Sequence, residues 1–415
     1  MRNRTAAVKA QKPSRFALLF TVALLAIPAA HAGPAVANVR VAQRPGTTLV
    51  DITYDLADPD SATLSVSVAV STDGGASYGR PATHFTGAVG GGVTPGTGKR
   101  ITWDAGADLP AKLFSNVRVS VTASDNAAPS GMALIPAGSF TMGNCMDPNE
   151  GSDDELPLHT VYISAFYMDK NDVTWALWQQ VYNWAIIHGY TFDNAGSGKA
   201  ANHPVQTVNW YDCVKWCNAR SEMEGRTPAY YTSAAQTTVY RTSQVDLQND
   251  WVKWNSGYRL PTEAEWEKAA RGGLSGQRFP WGNTISWSQA NYYTYPLLAG
   301  GYAYDVNPTG GFDPTFNGGG YPFTSPVGDF APNGYGLYDM AGNVWQWCWD
   351  WYGPYSSGSQ TDPHGPIPIS GPYRVIRGGS WNLEAFVCRT AFCFVNYPTN
   401  GDCFIGFRSV LPPGQ

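Results

Sequence analysis

The interpretation of this chain depends most on residues 377–408. This stretch opens with Arg377-Gly378-Gly379-Ser380-Trp381-Asn382 and closes with Ile405-Gly406-Phe407-Arg408. Cys388 lies between the two ends, and the position three residues after Ser380 is Leu383. Because thiolates are the ligands that soft metal ions select, the stretch offers such ligands at Cys388, Cys393 and Cys403 and none at Leu383.

The composition is that of a folded protein rich in loops and aromatic rings. The chain has 415 residues, which is long enough for two domains and a sizeable core. Charged residues make up only 14% of it, against about 25% in a typical globular chain, and it contains 45 glycines and 16 tryptophans. The net charge of -5 gives no electrostatic basis for nucleic-acid binding, so no nucleic-acid partner is expected.

The N-terminal residues have the pattern of an export signal. Five basic residues lie before an apolar run at 16–29, which is too short to span a membrane. Ala30-His31-Ala32 then provides a small-x-small cleavage pattern. We therefore predict a signal peptide at 1–32 and a secreted protein in the periplasm, outside the cell or on its surface. An N-terminal anchor helix is the alternative, and no later segment is apolar enough for a membrane span.

Residues 38–123 are predicted to form an all-β sandwich of the immunoglobulin or fibronectin kind. Residues 64–70 alternate apolar and polar side chains, as expected of a strand with one buried face. Asp73-Gly74-Gly75 predicts a hairpin turn. Residues 96–100 superficially resemble a phosphate-binding loop but lack its magnesium-binding hydroxyl, so we interpret them as a solvated turn.

A linker at 124–130 leads to a second predicted domain at 131–412. Apolar spacing and a capping box predict three helices, at 172–188, at 210–223 and after Thr262-Glu263-Ala264-Glu265. Regular periodicity then fades between 271 and 360. Because so long an irregular stretch needs something to order it, bound calcium, disulfides and stacked rings are the candidates.

The second domain resembles the formylglycine-generating enzyme (sulfatase-modifying factor) family. Five blocks match that family in order: the strand–turn–strand opening at 131–143, Asn202-His203-Pro204-Val205 with Trp210, the helix at 260–271 with two following glycines, residues 333–347, and residues 377–408. The resemblance implies an α+β domain of low regularity, related to C-type lectins, which fits the fading periodicity.

The resemblance also implies where a catalytic centre would lie. Family enzymes hold copper between two cysteines, and Leu383 stands at the first of these positions while Cys388 stands at the second. Ser380 and Trp345 match residues that line the family's active site. We therefore predict Cys388, Ser380 and Trp345 as the remnant catalytic set and Cys388 as a weakened copper ligand. The alternative is that Ser380 only ends a Gly-Gly turn and Trp345 only fills the core.

Calcium is the second cofactor that the resemblance implies. One family site maps onto Asp339, the carbonyl oxygens of Gly342 and Val344, and the side chain of Gln346. The family has a carboxylate where Gln346 stands, so we expect weaker binding. The other site maps onto Asn291, Tyr292, Gly319 and Tyr321, and it has lost its acid to Gly319. Asp339 as a turn-capping acid is the alternative.

Seven cysteines in an exported chain predict some disulfides and at least one free thiol. The resemblance places Cys217 and Cys393 in two different bridges of the family. Their partners would fall at Ser409 and Ala270, so both family bridges are expected to be lost.

Two functions are open at this point. In the first, the domain is a pseudoenzyme that binds a protein or a cell-surface ligand, and its contacts come from Phe386, Phe392, Phe394, Tyr397 and Phe404. This segment is similar to diversified variable regions of phage and bacterial surface proteins. The alternative for these rings is that they fill the core.

In the second, the domain is a copper-dependent oxidase that converts a sulfatase cysteine to formylglycine. Cys388 would then need Cys393 or Cys403 as a new partner.

Overall fold

The computed structural model describes residues 34–59, 61–72, 74, 82–109, 116–124, 128–144, 151–297, 300–366 and 371–413. The predicted signal peptide and most of the Asp73-Gly74-Gly75 turn lie outside these ranges. Contacts divide the chain into two compact units, one ending at Val121 and the other beginning at Thr122, with Leu64–Val68 grouped with the second. The predicted domain boundaries themselves stay predictions.

The N-terminal unit is built from β-strands, as its alternating sequence predicts. The strands are β1 (Ala35–Gln43), β2 (Leu49–Ala57), β3 (Leu64–Ser71), β4 (Phe85–Gly87), β5 (Gly90–Val93), β6 (Gly96–Asp104) and β7 (Arg118–Ser124), with one short helix, α1 (Ala105–Asp108). They form two sheets, in the orders β1-β2-β6-β4 and β5-β3-β7.

One local interpretation in this unit is wrong. Residues 96–100, expected to be a turn, begin strand β6, in which Arg100 pairs with Thr53 of β2. Gly96 and Gly98 made this segment resemble a turn. Ile101 and Trp103, which are both buried, continue the alternation that is typical of a strand. The immunoglobulin-like assignment of the whole unit stays a prediction.

The second unit combines short strands with three helices. Its elements are β8 (Met132–Ile135), β9 (Gly138–Met142), β10 (His159–Ile163), β11 (Phe166–Asp169), α2 (Trp175–Ile186), α3 (Trp210–Met223), α4 (Glu263–Arg271), β12 (Trp345–Trp351), β13 (Gln360–Thr361), β14 (Arg374–Arg377), β15 (Cys393–Asn396), β16 (Ile405–Gly406) and β17 (Val410–Leu411). Its sheets run β13-β10-β9, β17-β11-β8 and β15-β14-β12-β16. The described residues between α4 and β12 are mainly turns and loops, so the predicted low-regularity α+β fold is confirmed.

Local sequence signals determine where the helices begin and end. Thr262 Oγ1 accepts from Glu265 N at 3.2 Å, and the Glu265 carboxylate accepts from Thr262 N at 2.9 Å, so the predicted capping box of α4 is present. Gly272 ends this helix at a φ of 57°. Helix α2 begins at Trp175, later than 172, because Thr174 caps it through Leu177 N.

The site region is supported by a core of large rings. Trp178 of α2 and Trp216 of α3 stack in parallel with their centroids 5.9 Å apart, and both are fully buried. Every residue of β12 is buried, and β12 lies inside its sheet next to β14. Strand β14 leads directly into the Gly378-Gly379 turn, so the core fixes the start of the 377–408 stretch. Among the described helices, none has both the length and the apolar character needed to cross a membrane.

Candidate functional site

The Gly378-Gly379 turn brings the backbone into close contact with Cys388. The two glycines have φ values of 96° and 76°, which side chains rarely adopt. A Cβ atom on Gly379 would lie only 2.8 Å from Cys388 Sγ. The turn therefore needs glycine both for its backbone conformation and for its contact with this thiol.

Cys388 is held as a buried neutral thiol. Its side chain is fully inaccessible, and burial raises the pKa of the thiol well above its usual range, with a further increase from the nearby Asp305 carboxylate. A backbone hydrogen bond from Gly342 opposes these effects only in part. Because the thiolate is the form that attacks electrophiles, this environment disfavours a nucleophilic role for Cys388 when no metal is bound.

Leu383 fills the neighbouring position as a hydrophobic residue. It packs, partly buried, against the main core cluster. Its N–H donates to Ser380 O at 3.2 Å, and its carbonyl oxygen accepts from Tyr293 N at 2.9 Å. Backbone contacts thus hold position 383 in place, while its side chain offers no ligand atom.

Within the described residues, Cys393 and Cys403 have surroundings different from those of Cys388. Cys393 lies in a different core cluster and shares none of the neighbours that shift the pKa of Cys388. Cys403 Sγ instead donates to the hydroxyl oxygen of Tyr321 at 3.2 Å. The six cysteines within the described ranges are free thiols, so the expected disulfides are not found there. One buried sulfur does not fit the linear two-thiolate coordination of Cu(I).

Trp345 and Ser380, the other two residues of the predicted catalytic set, are both buried. Trp345, at the start of β12, is 1% exposed, and its backbone N–H donates to the backbone carbonyl oxygen of Phe404 at 2.8 Å. Ser380 Oγ donates to Asn382 Oδ1 at 2.7 Å. These contacts give both residues a structural role whatever else they do.

The predicted ligand-binding rings divide into exposed and buried members. Phe394 and Tyr397 are 47% and 46% exposed, Phe386 and Phe404 are partly buried, and Phe392 is only 7% exposed. Core filling, the alternative for these rings, therefore describes Phe392 well. We define the aromatic surface as Phe386, Phe394 and Tyr397.

Stacking connects the aromatic surface to the core. The Phe394 ring stacks on Trp345 with the centroids 5.7 Å apart, and Phe386 meets Phe392 edge-on at 5.1 Å. Tyr302, which the sequence reasoning missed, stacks on Phe386 at 5.5 Å. The rings are therefore held in fixed positions by buried neighbours, which lowers the entropy lost when a ligand binds.

A buried ion pair, also missed from the sequence, lies behind these rings. Arg389 Nη1 donates to Glu155 Oε2 at 2.8 Å, and both side chains are at most 2% exposed. The Arg389 guanidinium lies 4.2 Å from the centre of the Phe386 ring. No local pattern could reveal this pair, because its members are 234 positions apart.

Asp339 has one feature of a metal ligand. Its Oδ2 accepts from Gly328 N at 2.8 Å, whereas its buried Oδ1 has no hydrogen-bond partner within the described part of the chain. Burial raises the pKa of Asp339 to about 6. A cation beside Oδ1 would satisfy this oxygen and stabilise the carboxylate.

Gln346 does not fit the role of a calcium ligand here. Its Oε1 accepts from Trp266 Nε1 at 2.6 Å and from Arg408 Nε at 2.8 Å, and its Nε2 donates to Asp339 O at 2.9 Å. The predicted ligand oxygen is thus already engaged, and a guanidinium lies next to it.

The remaining predicted calcium ligands are structurally engaged or untested. The Asn291 side chain donates to Phe323 O at 2.8 Å, and its carbonyl oxygen lies 2.4 Å from where a Cβ on Gly342 would be. Gly342 and Val344 are both buried in the turn that leads into β12, and Val344 directly precedes the strand. The described residues contain no group of three or more His, Cys, Asp or Glu placed to hold a metal. Calcium stays a prediction, with Asp339 as the residue that fits it best.

The Asp339 carboxyl predicts a specific dependence of stability on pH. Because its folded-state pKa of about 6 exceeds the ordinary 3.8, ionisation in the folded state costs about 3 kcal/mol above pH 6. We expect Asp339→Asn to match the parent near pH 4 and to be more stable by up to that amount at pH 7. Asn keeps the acceptor for Gly328 N and tolerates the φ of 54° at this position.

Denaturation of the parent and the variant in a calcium-free buffer at several pH values measures this difference. A stability difference that does not change between pH 4 and pH 7 would contradict the assignment. Repetition in millimolar calcium tests the metal: a bound ion should raise the stability of the parent and leave the variant unchanged.

Comparison with known proteins supports the fold described above. The pattern of the sulfatase-modifying factor enzyme 1-like domain (FGE-sulfatase) matches residues 118–412. The chain belongs to this family. The formylglycine-generating enzyme of Streptomyces coelicolor is 33% identical over 67% of this chain and 88% of its own length, and that of Bos taurus is 33% identical over 73% and 81%.

A solved structure of this family's fold is also similar. Treponema denticola variable protein 1 superposes with a TM-score of 0.51 and 29% identity, over 68% of this chain and 95% of its own. The family and the fold predicted from the five sequence blocks are thereby confirmed. Within the matched range, this chain has the Gly378-Gly379-Ser380 turn and Cys388, with Leu383 between them.

Proposed function

We propose that this member of the sulfatase-modifying factor family is an exported pseudoenzyme that binds a protein or a cell-surface ligand through its aromatic surface. The observation that carries the proposal is Leu383, which occupies a backbone-fixed position beside Ser380 with a side chain that cannot bind a metal. The separation of Cys388 and Cys393 into different core clusters supports the same conclusion.

Several features support binding as the retained function. Phe394 and Tyr397 are nearly half exposed although large rings are normally buried. The hydroxyl groups of Tyr373 and Tyr397 hydrogen-bond at 3.0 Å, which adds a polar edge to this surface. The similar solved structure is that of a Treponema denticola variable protein, and the resemblance of this segment to diversified variable regions agrees with that similarity.

The remaining parts of the proposal come from the sequence. The residues at 1–32 direct export, and the N-terminal β unit acts as an immunoglobulin-like spacer or adhesion module. If calcium binds, it binds at Asp339 and contributes to stability rather than to chemistry.

The alternative is a working oxidase that converts a substrate cysteine to formylglycine. The similarity to formylglycine-generating enzymes favours it. Aldehyde formation on a Cys-x-Pro-x-Arg peptide by the copper-loaded protein, abolished by Cys388→Ala, would establish this alternative and overturn the proposal.

We expect the double variant Phe394→Ser/Tyr397→Ser to lose at least about 90% of binding to intact cells of the organism that makes the protein, because exposed aromatic residues dominate binding energy. Its fold should be unchanged, since both rings are nearly half exposed. Binding is measured with fluorescently labelled protein by flow cytometry.

Ile187→Ser is the matched control. Ile187 is 77% exposed at the end of α2 and belongs to no part of the aromatic surface. Equal binding by the control, the double variant and the parent would show that the aromatic surface is not the binding site.

A further inference from the structure

A second candidate site lies away from residues 377–408. A cavity of about 330 Å³ is lined by the β9–β10 hairpin, the C-terminal end of α4 and Tyr335. This volume is within the range of small-molecule sites. None of its lining residues belongs to the aromatic surface or to the surroundings of Cys388.

The cavity contains one cation that has no acidic partner among the described residues. Lys268 is 5% exposed, and its Nζ donates to Gly138 O at 2.8 Å and to Ile163 O at 3.2 Å. Because an ammonium group has three donors, one N–H remains for a ligand. Burial lowers the pKa of Lys268, and no carboxylate in the described part of the chain lies within ion-pair distance of it.

The other charged groups near the cavity have hydrogen-bond partners among the described residues. Arg271 donates to Glu267 Oε1 at 3.0 and 2.7 Å, so it is paired with a carboxylate that also pairs with Arg377. Asp362, whose charge partly opposes the burial effect on Lys268, accepts from Ser164 N and Ser164 Oγ at 2.6 and 2.7 Å. The negative end of the α4 dipole is offset by the two cations of its last turn, Lys268 and Arg271.

Hydroxyl groups line much of the rest of the cavity, together with the apolar side chains of Phe140 and Leu274. Thr141 of β9 and Thr160 of β10 face each other as a cross-strand pair, and both are exposed. Tyr335 contributes a partly buried ring, and a Cβ on Gly273 would lie 3.6 Å from that ring, so the absent side chain leaves it accessible. The wall therefore combines hydroxyl donors and acceptors, the Lys268 ammonium group, the paired Arg271 guanidinium and an apolar surface that includes the Tyr335 ring.

We propose that this cavity binds a sugar ring that carries a single oxyanion, either a carboxylate or a sulfate. The oxyanion pairs with Lys268 Nζ, the sugar hydroxyls exchange hydrogen bonds with Thr141 and Thr160, and the apolar face of the sugar packs on Tyr335. A neutral sugar would leave the buried ammonium unpaired, and a bare anion would leave the hydroxyls and the ring unused. The site is independent of the function proposed for the aromatic surface.

Ligand titration of the full chain, followed by isothermal calorimetry or ligand-observed NMR, tests the proposal. The probes are glucuronate, glucose 6-sulfate, glucose and inorganic sulfate. We expect at least one anionic sugar to bind about tenfold or more tightly than glucose, since a charge-assisted hydrogen bond is worth about that factor. Whether glucuronate or glucose 6-sulfate binds better identifies the oxyanion.

Variants of the lining residues show whether the anionic sugar occupies this cavity. Thr141→Val/Thr160→Val should weaken the anionic sugar about fivefold or more, whereas Thr361→Val, an exposed strand threonine outside the cavity, should not. Lys268→Gln keeps donors for the two carbonyl oxygens and should abolish the preference over glucose. Three results would overturn the proposal. Inorganic sulfate could bind as tightly as glucose 6-sulfate, or Thr141→Val/Thr160→Val and Thr361→Val could bind the anionic sugar equally well. The third result is that neither anionic sugar binds.

Discussion

Leu383→Cys is expected to raise the affinity of this protein for Cu(I) by more than about 100-fold. Loss of outer-shell partners alone changes metal affinity by about 10- to 100-fold, so the gain of a direct thiolate ligand should exceed that range. The backbone of position 383 is held by Ser380 and Tyr293, so the new sulfur would project from a fixed position. Competition with a chromophoric Cu(I) chelator measures the change.

Two controls separate copper binding from changes in folding. Leu383→Ser removes the same hydrophobic contact without adding a soft ligand, and Leu383→Cys/Cys388→Ala returns the site to a single thiol. Both should bind Cu(I) as weakly as the parent. A parent that already binds Cu(I) as tightly as Leu383→Cys would mean that another residue completes the site, which would favour the oxidase.

Glu267→Gln should reduce the free energy of unfolding by about 3–5 kcal/mol, because it leaves buried guanidinium groups without their anion. Glu267 Oε1 accepts from Arg271 and Oε2 accepts from Arg377, and neither Glu267 nor Arg377 has any exposed side-chain surface. Burial would raise the pKa of Glu267, yet the two arginines hold it below its usual range. Its contribution is therefore complete at neutral pH and is lost as the pH falls below that range.

Denaturant unfolding followed by tryptophan fluorescence measures this loss in the second domain, because Trp103 is the only one of the 16 tryptophans before residue 131. Glu222→Gln is the matched control. Glu222 pairs with Arg241 in a partly exposed position, so its loss should cost about 1 kcal/mol or less. Similar losses for the two variants would show that the buried charges are compensated elsewhere.

Local features of this fold could be predicted from the sequence because they depend on neighbouring residues. The capping box of α4 needs only Thr262 and Glu265, and both bonds form. The alternation at 64–70 likewise predicts β3, because apolar side chains on alternate residues indicate which face of a strand is buried. The family resemblance could be identified because its five blocks keep turn and core residues whose roles are fixed by backbone geometry.

The candidate site was harder to predict because its residues are distant in sequence. Arg389 meets Glu155 across 234 positions, and Tyr302 comes from a segment without periodicity. Gln346 was assigned to calcium by its position in the family, but Trp266 and Arg408 occupy its oxygen. Phe392 looked like its exposed neighbours in sequence, and only the packing against Trp345 and Phe386 shows that it is buried.

Strand β15 lies at the edge of its sheet, bonded to β14 on one side only. A substitution on the outward face of an edge strand disturbs no second ladder, so its effect on stability is small, usually within about 0.5 kcal/mol. An exchange of Phe394 for another side chain would therefore remove mainly its ring contact with Trp345 and leave the pairing of β14 with β12 intact. If Phe394 is a contact residue as proposed, its place on this edge strand separates the residue that meets the ligand from the strand pairing that keeps the domain folded.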